Sequence, residues 1–214
     1  MKQGWLCFLL MFGLQSLLPS AAAQAQDGKS IGRVTGLEGK VTLLPQGKFT
    51  PELLMLRRPL FREDIIETDR ASKVRITLTD ATVISLGERS RLELKEFSQE
   101  ARQQTRAGRF AMTMGVFRAI LKEMMPPSTF EVTTPTAIAA IRGTDLMGEV
   151  SPNSTAIVVL DGTVGVSNIR PNVPDQAVLT AGMGTTVTSD QPPSTPTRWA
   201  ESRIEALRRA TTIR

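Results

Sequence analysis

Side chains able to do acid–base, nucleophilic or metal chemistry are scarce in this sequence, and that scarcity is the first constraint on function. Histidine and tyrosine are absent and Cys7 is the single cysteine. Without imidazole, the usual general base near neutral pH and the commonest transition-metal ligand are both missing. Serine–histidine and cysteine–histidine catalysis are thereby excluded. Carboxylate, lysine and threonine chemistries survive, but no arrangement of residues argues for any of them. The sequence therefore calls for no catalytic residue, no metal and no cofactor.

Three groups of residues invite a site and have a plainer structural reading beside it. A guanidinium can hold a carboxylate or phosphate in a bidentate grip, so Arg142, with Thr144 beside it and Thr134 upstream, is the binding candidate. Against that, an arginine in a turn with Gly143 and Thr144 can simply hydrogen-bond loop carbonyls, and Pro135 confines Thr134 to extended geometry at a strand end. Met112, Met114, Met124, Met125, Met147 and Met183 invite a thioether copper site, yet methionine is more often an adaptable core filler, and Met112 and Met114 fall on the apolar face of a predicted strand. Asp64, Asp69, Asp80 and Asp161 each stand singly beside a turn. The oxygen-rich spacing of a calcium loop is missing, and turn formation accounts for them. Asn153-Ser154-Thr155 matches a glycan-acceptor pattern by chance.

The elements that must position these residues are short strands. Lys73–Thr79 alternates strictly, with Val74, Ile76 and Leu78 on one face and Arg75, Thr77 and Thr79 on the other, which describes a half-buried sheet. Asp80-Ala81 turns the chain into Thr82–Leu86, and Arg91–Lys95 is a further strand. Residues 96 to 108 lack an apolar period and read as a surface loop or short exposed helix. Phe110, Met112, Met114 and Val116 resume a period of two, and Ile120–Met125 reads as a helical turn stopped by Pro126-Pro127. Ile157–Leu160 is a continuous apolar run, expected deep in the sheet. Glu38-Gly39-Lys40-Val41, Asp80-Ala81-Thr82-Val83 and Asp161-Gly162-Thr163-Val164 repeat one design, a tight turn launching a strand, with glycine where φ needs to be positive. Residues 189–197 read as a Pro-rich linker, and 198–214 as a C-terminal helix or tail whose stripe of Ala200, Ile204 and Leu207 suits docking on the sheet. A basic amphipathic helix for membrane contact is the alternative.

The first residues predict export. Lys2 precedes an apolar stretch from Trp5 to Leu18, and small residues follow from Ala21 to Ala25, the order of a secretory signal with cleavage after Ala23 or Ala25. The apolar run falls short of the roughly 20 residues of a membrane span, so residues 1–25 are expected to leave. Cys7 leaves with them, and a mature chain without a thiol has no disulfide. The net charge of +5 becomes +4 without Lys2, from 25 basic and 21 acidic residues. That excess suits an anionic partner such as envelope lipid or polysaccharide, or simply a solvated basic surface. Nucleic acid is not expected, because the charge is dispersed and stacking aromatics are few.

Several segments together resemble the FecR domain, a periplasmic β module. They are Leu60–Thr68, the strand ending Leu78-Thr79-Asp80-Ala81 (alanine in place of the family's usual glycine), Ile84–Leu92, and Phe130–Ala137 followed by Ile141-Arg142-Gly143-Thr144. Threonine-proline with arginine-glycine-threonine several residues on is the most specific of these. Val159–Val164 and Leu179–Gly182 complete a resemblance spanning residues 31–188. It implies an all-β fold: a rolled β-sheet, or an irregular solenoid or sandwich, with a short C-terminal helix. It also implies a non-enzymatic module for binding or sensing in the envelope, through an unidentified protein or ligand. The family's namesake regulators add a cytoplasmic sigma-factor-controlling segment, a membrane span and a second periplasmic domain, and the sequence is not expected to supply these. A periplasmic or secreted protein of a Gram-negative bacterium is expected, with homo-oligomers possible by sheet-edge pairing. A structural or adhesive role on polysaccharide or an outer-membrane partner is the alternative.

Overall fold

The computed structural model describes residues 28–100, 105–121 and 128–214. The expected signal sequence lies outside the described residues, as do residues 122–125 of the helical turn expected over Ile120–Met125, with Met124 and Met125; Ile120 itself is strand. Among the described residues, fifteen strands form one sheet. In chain order they are β1 (Gly32–Glu38), β2 (Val41–Leu44), β3 (Glu52–Leu53), β4 (Pro59–Leu60), β5 (Ile65–Thr68), β6 (Lys73–Leu78), β7 (Val83–Leu86) and β8 (Arg91–Glu100). The long β9 (Thr105–Ile120), β10 (Thr129–Thr133), β11 (Ala137–Ser151), β12 (Ser154–Asn168), β13 (Gln176–Thr180), β14 (Met183–Thr188) and β15 (Thr197–Arg198) follow, then helix α1 (Glu201–Thr211).

The first half of the sheet is rolled. From β9 one path runs through β7, β6 and β1 to β4, and another through β8, β5 and β2 to β3. Residues 54–58 join the two free edges covalently, with Leu54 buried under the seam. Alternation on β6 is as expected: Val74, Ile76 and Leu78 are buried in the main core. Asp64 and Asp80 act as turn formers, whereas Asp161, also expected beside a turn, lies within β12. The Asp80 carboxylate accepts from the Thr82 amide (2.9 Å) and hydroxyl (2.8 Å), and Asp64 accepts from the Phe61 amide (2.8 Å).

Where they are described, residues 96–100 and 105–108 are strand, neither the loop nor the helix expected there. Glu96–Glu100 continue β8 and Thr105–Gly108 begin β9, paired from Glu96↔Arg109 to Glu100↔Thr105. Phe97, edge-on to Phe130 at 6.3 Å, is the inward anchor of this strand pair. Met114 also departs from expectation. An extra residue in β9 between the pairs Arg91↔Met114 and Leu92↔Met112 turns Met114 outward, so Met112 is buried and Met114 exposed.

The long strands β11 and β12 bear side chains packed on both faces. Ile157 and Val159 enter the main core, while Val158 and Met147 enter a second cluster with Trp199, Ile204 and Leu207. The expected buried run is thus buried twice, by the sheet's inner face and by α1 on its outer face. The C-terminal segment starts differently from the sequence reading. Thr197-Arg198 pair with β14 and the helix begins at Glu201. The Pro-rich stretch before it is fastened to the sheet: the Ser194 amide donates to the Thr186 carbonyl (2.9 Å), and the buried Asn168 amide donates to the Thr188 and Gln191 carbonyls (2.9 Å each).

Candidate binding surface

The pairing of β11 with β12 explains most of the Thr-Pro…Arg-Gly-Thr segment. Register runs regularly from Ala137↔Asn168 to Arg142↔Thr163 and resumes at Asp145↔Asp161. Gly143 and Thr144 therefore oppose Gly162 alone, a β-bulge. Gly143 (φ 55°) and Gly162 (φ 86°) both take left-handed backbone. A second irregularity on β12, at Leu160, restores the count. The third copy of the acid-small-polar-valine design is thus a bulge inside a strand and not a turn. The copies at Gly39 and Ala81 are turns, with φ of 71° and 68°.

Thr144 is the rivet of that bulge. Its amide donates to the Leu121 carbonyl (3.0 Å) and the Leu121 amide donates back (2.9 Å), continuing the sheet into β9. Its hydroxyl lies 3.1 Å from both the Arg142 and Thr163 carbonyls. Thr134 is equally internal. Its hydroxyl accepts from the Ala137 amide (2.8 Å) and meets Thr155 Oγ1 at 2.8 Å, while Thr136 lies 2.8 Å from Thr155 Oγ1 and 3.0 Å from the Val187 carbonyl. Thr134, Thr136, Thr144 and Thr155 are all buried. The structure does not bring Thr134 and Arg142 together: Ala137 and Arg142 stand five residues apart on β11, roughly 16 Å.

Arg142 behaves differently from its neighbours. Its side chain is exposed, and among the described residues its guanidinium has no hydrogen-bond or ion-pair partner. The turn-fixing role expected of it falls to the Thr144 hydroxyl. Arg142 projects from the outer face of the sheet, opposite to Ala137, Ala139 and Ile141, which point into the core. On that face Arg142, Ala140 and Ile138 pair with Thr163, Gly165 and Ser167 of β12, which in turn pair with Thr180, Val178 and Gln176 of the edge strand β13. Val178 is 57% exposed. Toward β8, Arg109 bridges Glu96 (3.2 Å) and Glu131 (3.6 Å).

A second charged group on the outer face had no signal in the sequence. Arg118 of β9 grips Asp145 of β11 through Nε–Oδ1 (2.9 Å) and Nη2–Oδ2 (2.6 Å). The hydrogen bond to Asp145 raises the Arg118 pKa above the usual arginine value, with Coulomb attraction adding and partial burial opposing. Both partners are mostly covered, so this pair ties strands together and offers little to a ligand.

No group of three or more potential metal-ligating side chains gathers among the described residues. Two open depressions, of about 290 and 480 Å³, are lined by Lys29, Phe61 and Arg62, and by Arg33, Arg57 and Thr77, without a carboxylate. A third holds Glu67 and Asp69, which are ion-paired with Arg91 and Lys40.

Two crystal structures of a protein from Parabacteroides distasonis ATCC 8503, described as a "putative anti-sigma factor", share this fold. Each has a TM-score of 0.52 and 16% identity over 66% of this chain. The chain spans 63% and 62% of those chains. No curated protein sequence matches it. The family model described as FecR protein matches residues 64–165, a stretch that contains Asp64, Thr134 and the whole Arg142-Gly143-Thr144 bulge. Residues 64–165 of the chain form a FecR domain.

Proposed function

We propose that this protein is a non-enzymatic contact module of the bacterial envelope, exported by its N-terminal signal, and that it holds an acidic protein partner on the outer face around Arg142. One observation carries the reading. From Thr134 to Thr144, every polar side chain except Arg142 is engaged in internal hydrogen bonds. An exposed guanidinium carried on the fixed backbone of a sheet is open to a carboxylate. The surroundings, Ala140, Gly165 and Thr163, are small enough to let a partner approach the sheet. Catalysis finds no support in the ion-paired or isolated carboxylates.

Photo-crosslinking tests this reading. A photoreactive residue at Ala140 is expected to give one discrete protein adduct in intact cells, and the same group at Gly47, on the far side of the chain's pairing scheme, none. Two other outcomes would displace the reading. An adduct of the protein with itself would favour pairing of two copies along β13, whose outer edge is free. Retention on peptidoglycan or polysaccharide without a protein adduct would favour the structural role.

A further inference from the structure

The exposed large apolar side chains of this protein are concentrated outside the family-matched residues. Phe49 is 99% exposed, Leu53 60%, Met55 62% and Leu56 55%, all within one stretch of eight residues. A stretch this apolar in water is unusual for a folded surface. It is not loosely held. Leu54, between Leu53 and Met55, is buried and its amide donates to the Val41 carbonyl (2.9 Å). The Arg57 amide donates to the Val34 carbonyl (2.9 Å), and Leu53 pairs with Thr42 in the sheet. The backbone fixes Leu54 inward, and its apolar neighbours are left facing water.

Charge identifies what these side chains face. Residues 28–62 contain seven basic residues and two acidic ones, whereas residues 63–214 contain eighteen of each. The whole net positive charge after the signal therefore lies in the segment that carries these exposed apolar side chains. Lys48 adjoins Phe49 and Arg57 adjoins Leu56; both are exposed, and neither is ion-paired among the described residues. Arg33 and Arg57 line the same depression, and Arg62 lines another nearby in the chain. Apolar side chains flanked by unpaired cations fit a membrane interface, where the apolar groups enter the headgroup boundary and the cations meet anionic lipids. An acidic protein would satisfy the cations but not an aromatic ring standing fully clear of its own fold.

We infer that residues 48–57 form a membrane-apposition site, with Phe49, Leu53, Met55 and Leu56 inserting into an anionic lipid surface and Lys48 and Arg57 holding its headgroups. This site is separate from Arg142 and stands or falls independently of it.

The test is co-sedimentation of the purified protein with phosphatidylethanolamine–phosphatidylglycerol vesicles and with phosphatidylcholine vesicles. Binding is expected to the anionic vesicles, to weaken with added salt, and to fall at least about tenfold in Phe49→Ser/Leu56→Ser and in Lys48→Glu/Arg57→Glu. Phe49→Trp is expected to add blue-shifted emission on anionic vesicles only. The charge variant alters no buried group, so it tests the site even if the apolar variant folds poorly. No binding to anionic vesicles, or equal binding to both vesicle types, would overturn the inference. So would light scattering showing that Phe49→Ser merely converts a dimer to a monomer.

Discussion

Gly162 of β12 lies directly against the carbonyl of Gly143 on β11, so closely that a methyl group on Gly162 would overlap that oxygen. Both residues take left-handed backbone, and together they make the bulge that directly follows the outward-facing Arg142. Gly162→Ala meets two costs, a left-handed alanine and a clash with backbone that cannot swing away. It should lose about 2 kcal/mol or more in urea unfolding. Gly47→Ala, at φ 71° with nothing within 4 Å, is the control and should lose only about 1 kcal/mol.

Ala81 offers the converse case. It holds φ 68° in the β6–β7 turn, where the resembling domains have glycine. Relief of left-handed strain outweighs the added chain entropy of glycine, so Ala81→Gly should stabilise by about 0.5–1 kcal/mol. A lowered urea midpoint would show that the turn is not strained.

Arg118 and Asp145 should behave as a unit. Removing either charge leaves the other mostly covered and unpaired, so Arg118→Met and Asp145→Asn should each cost about 1–3 kcal/mol. The double variant should cost clearly less than their sum. A guanidinium whose pKa is raised on folding gives stability that is fully present below its unfolded value and lost only as pH rises through the higher folded one. The arginine side of this pair should therefore be flat from about pH 5 to pH 10.

Trp199 reports on the C-terminal helix. It packs on Gly184, where a methyl group would strike the indole, and Arg203 sits 3.6 Å over its ring. Leu207→Ala removes a buried contact of the same cluster and should cost about 2–4 kcal/mol. Tryptophan emission and far-UV circular dichroism should report coincident unfolding transitions; a separate early red shift would mean that the helix detaches from an intact sheet.

Much of the fold was legible because its rules are local. Alternation on Lys73–Leu78 marked a half-buried strand, and the Asp-small-polar-valine design marked backbone needing positive φ, found at Gly39, Ala81 and Gly162. What escaped depends on partners remote in sequence. Whether Gly162 sits in a turn or a bulge is decided by Gly143. Met114 faces out because of one extra residue opposite Arg91, and residues 96–100 and 105–108 form strands through backbone pairing that needs no apolar pattern. Of the site residues, the sequence singled out Arg142, Thr144 and Thr134, but not that two of them would be buried structural hydroxyls. Nor did Phe49 stand out, since exposure of a lone aromatic in a Pro- and Gly-bounded stretch has no periodic signature.

The central claim is that Arg142 is a contact residue that the fold itself does not need. The most direct measurement couples thermal unfolding of Arg142→Glu with the yield of the protein adduct formed from Ala140. The expected result is a Tm within about 1 °C of the unsubstituted protein, as for a surface change without structural partners, together with loss of the adduct. An undiminished adduct, or a Tm lowered by several degrees, would contradict the account.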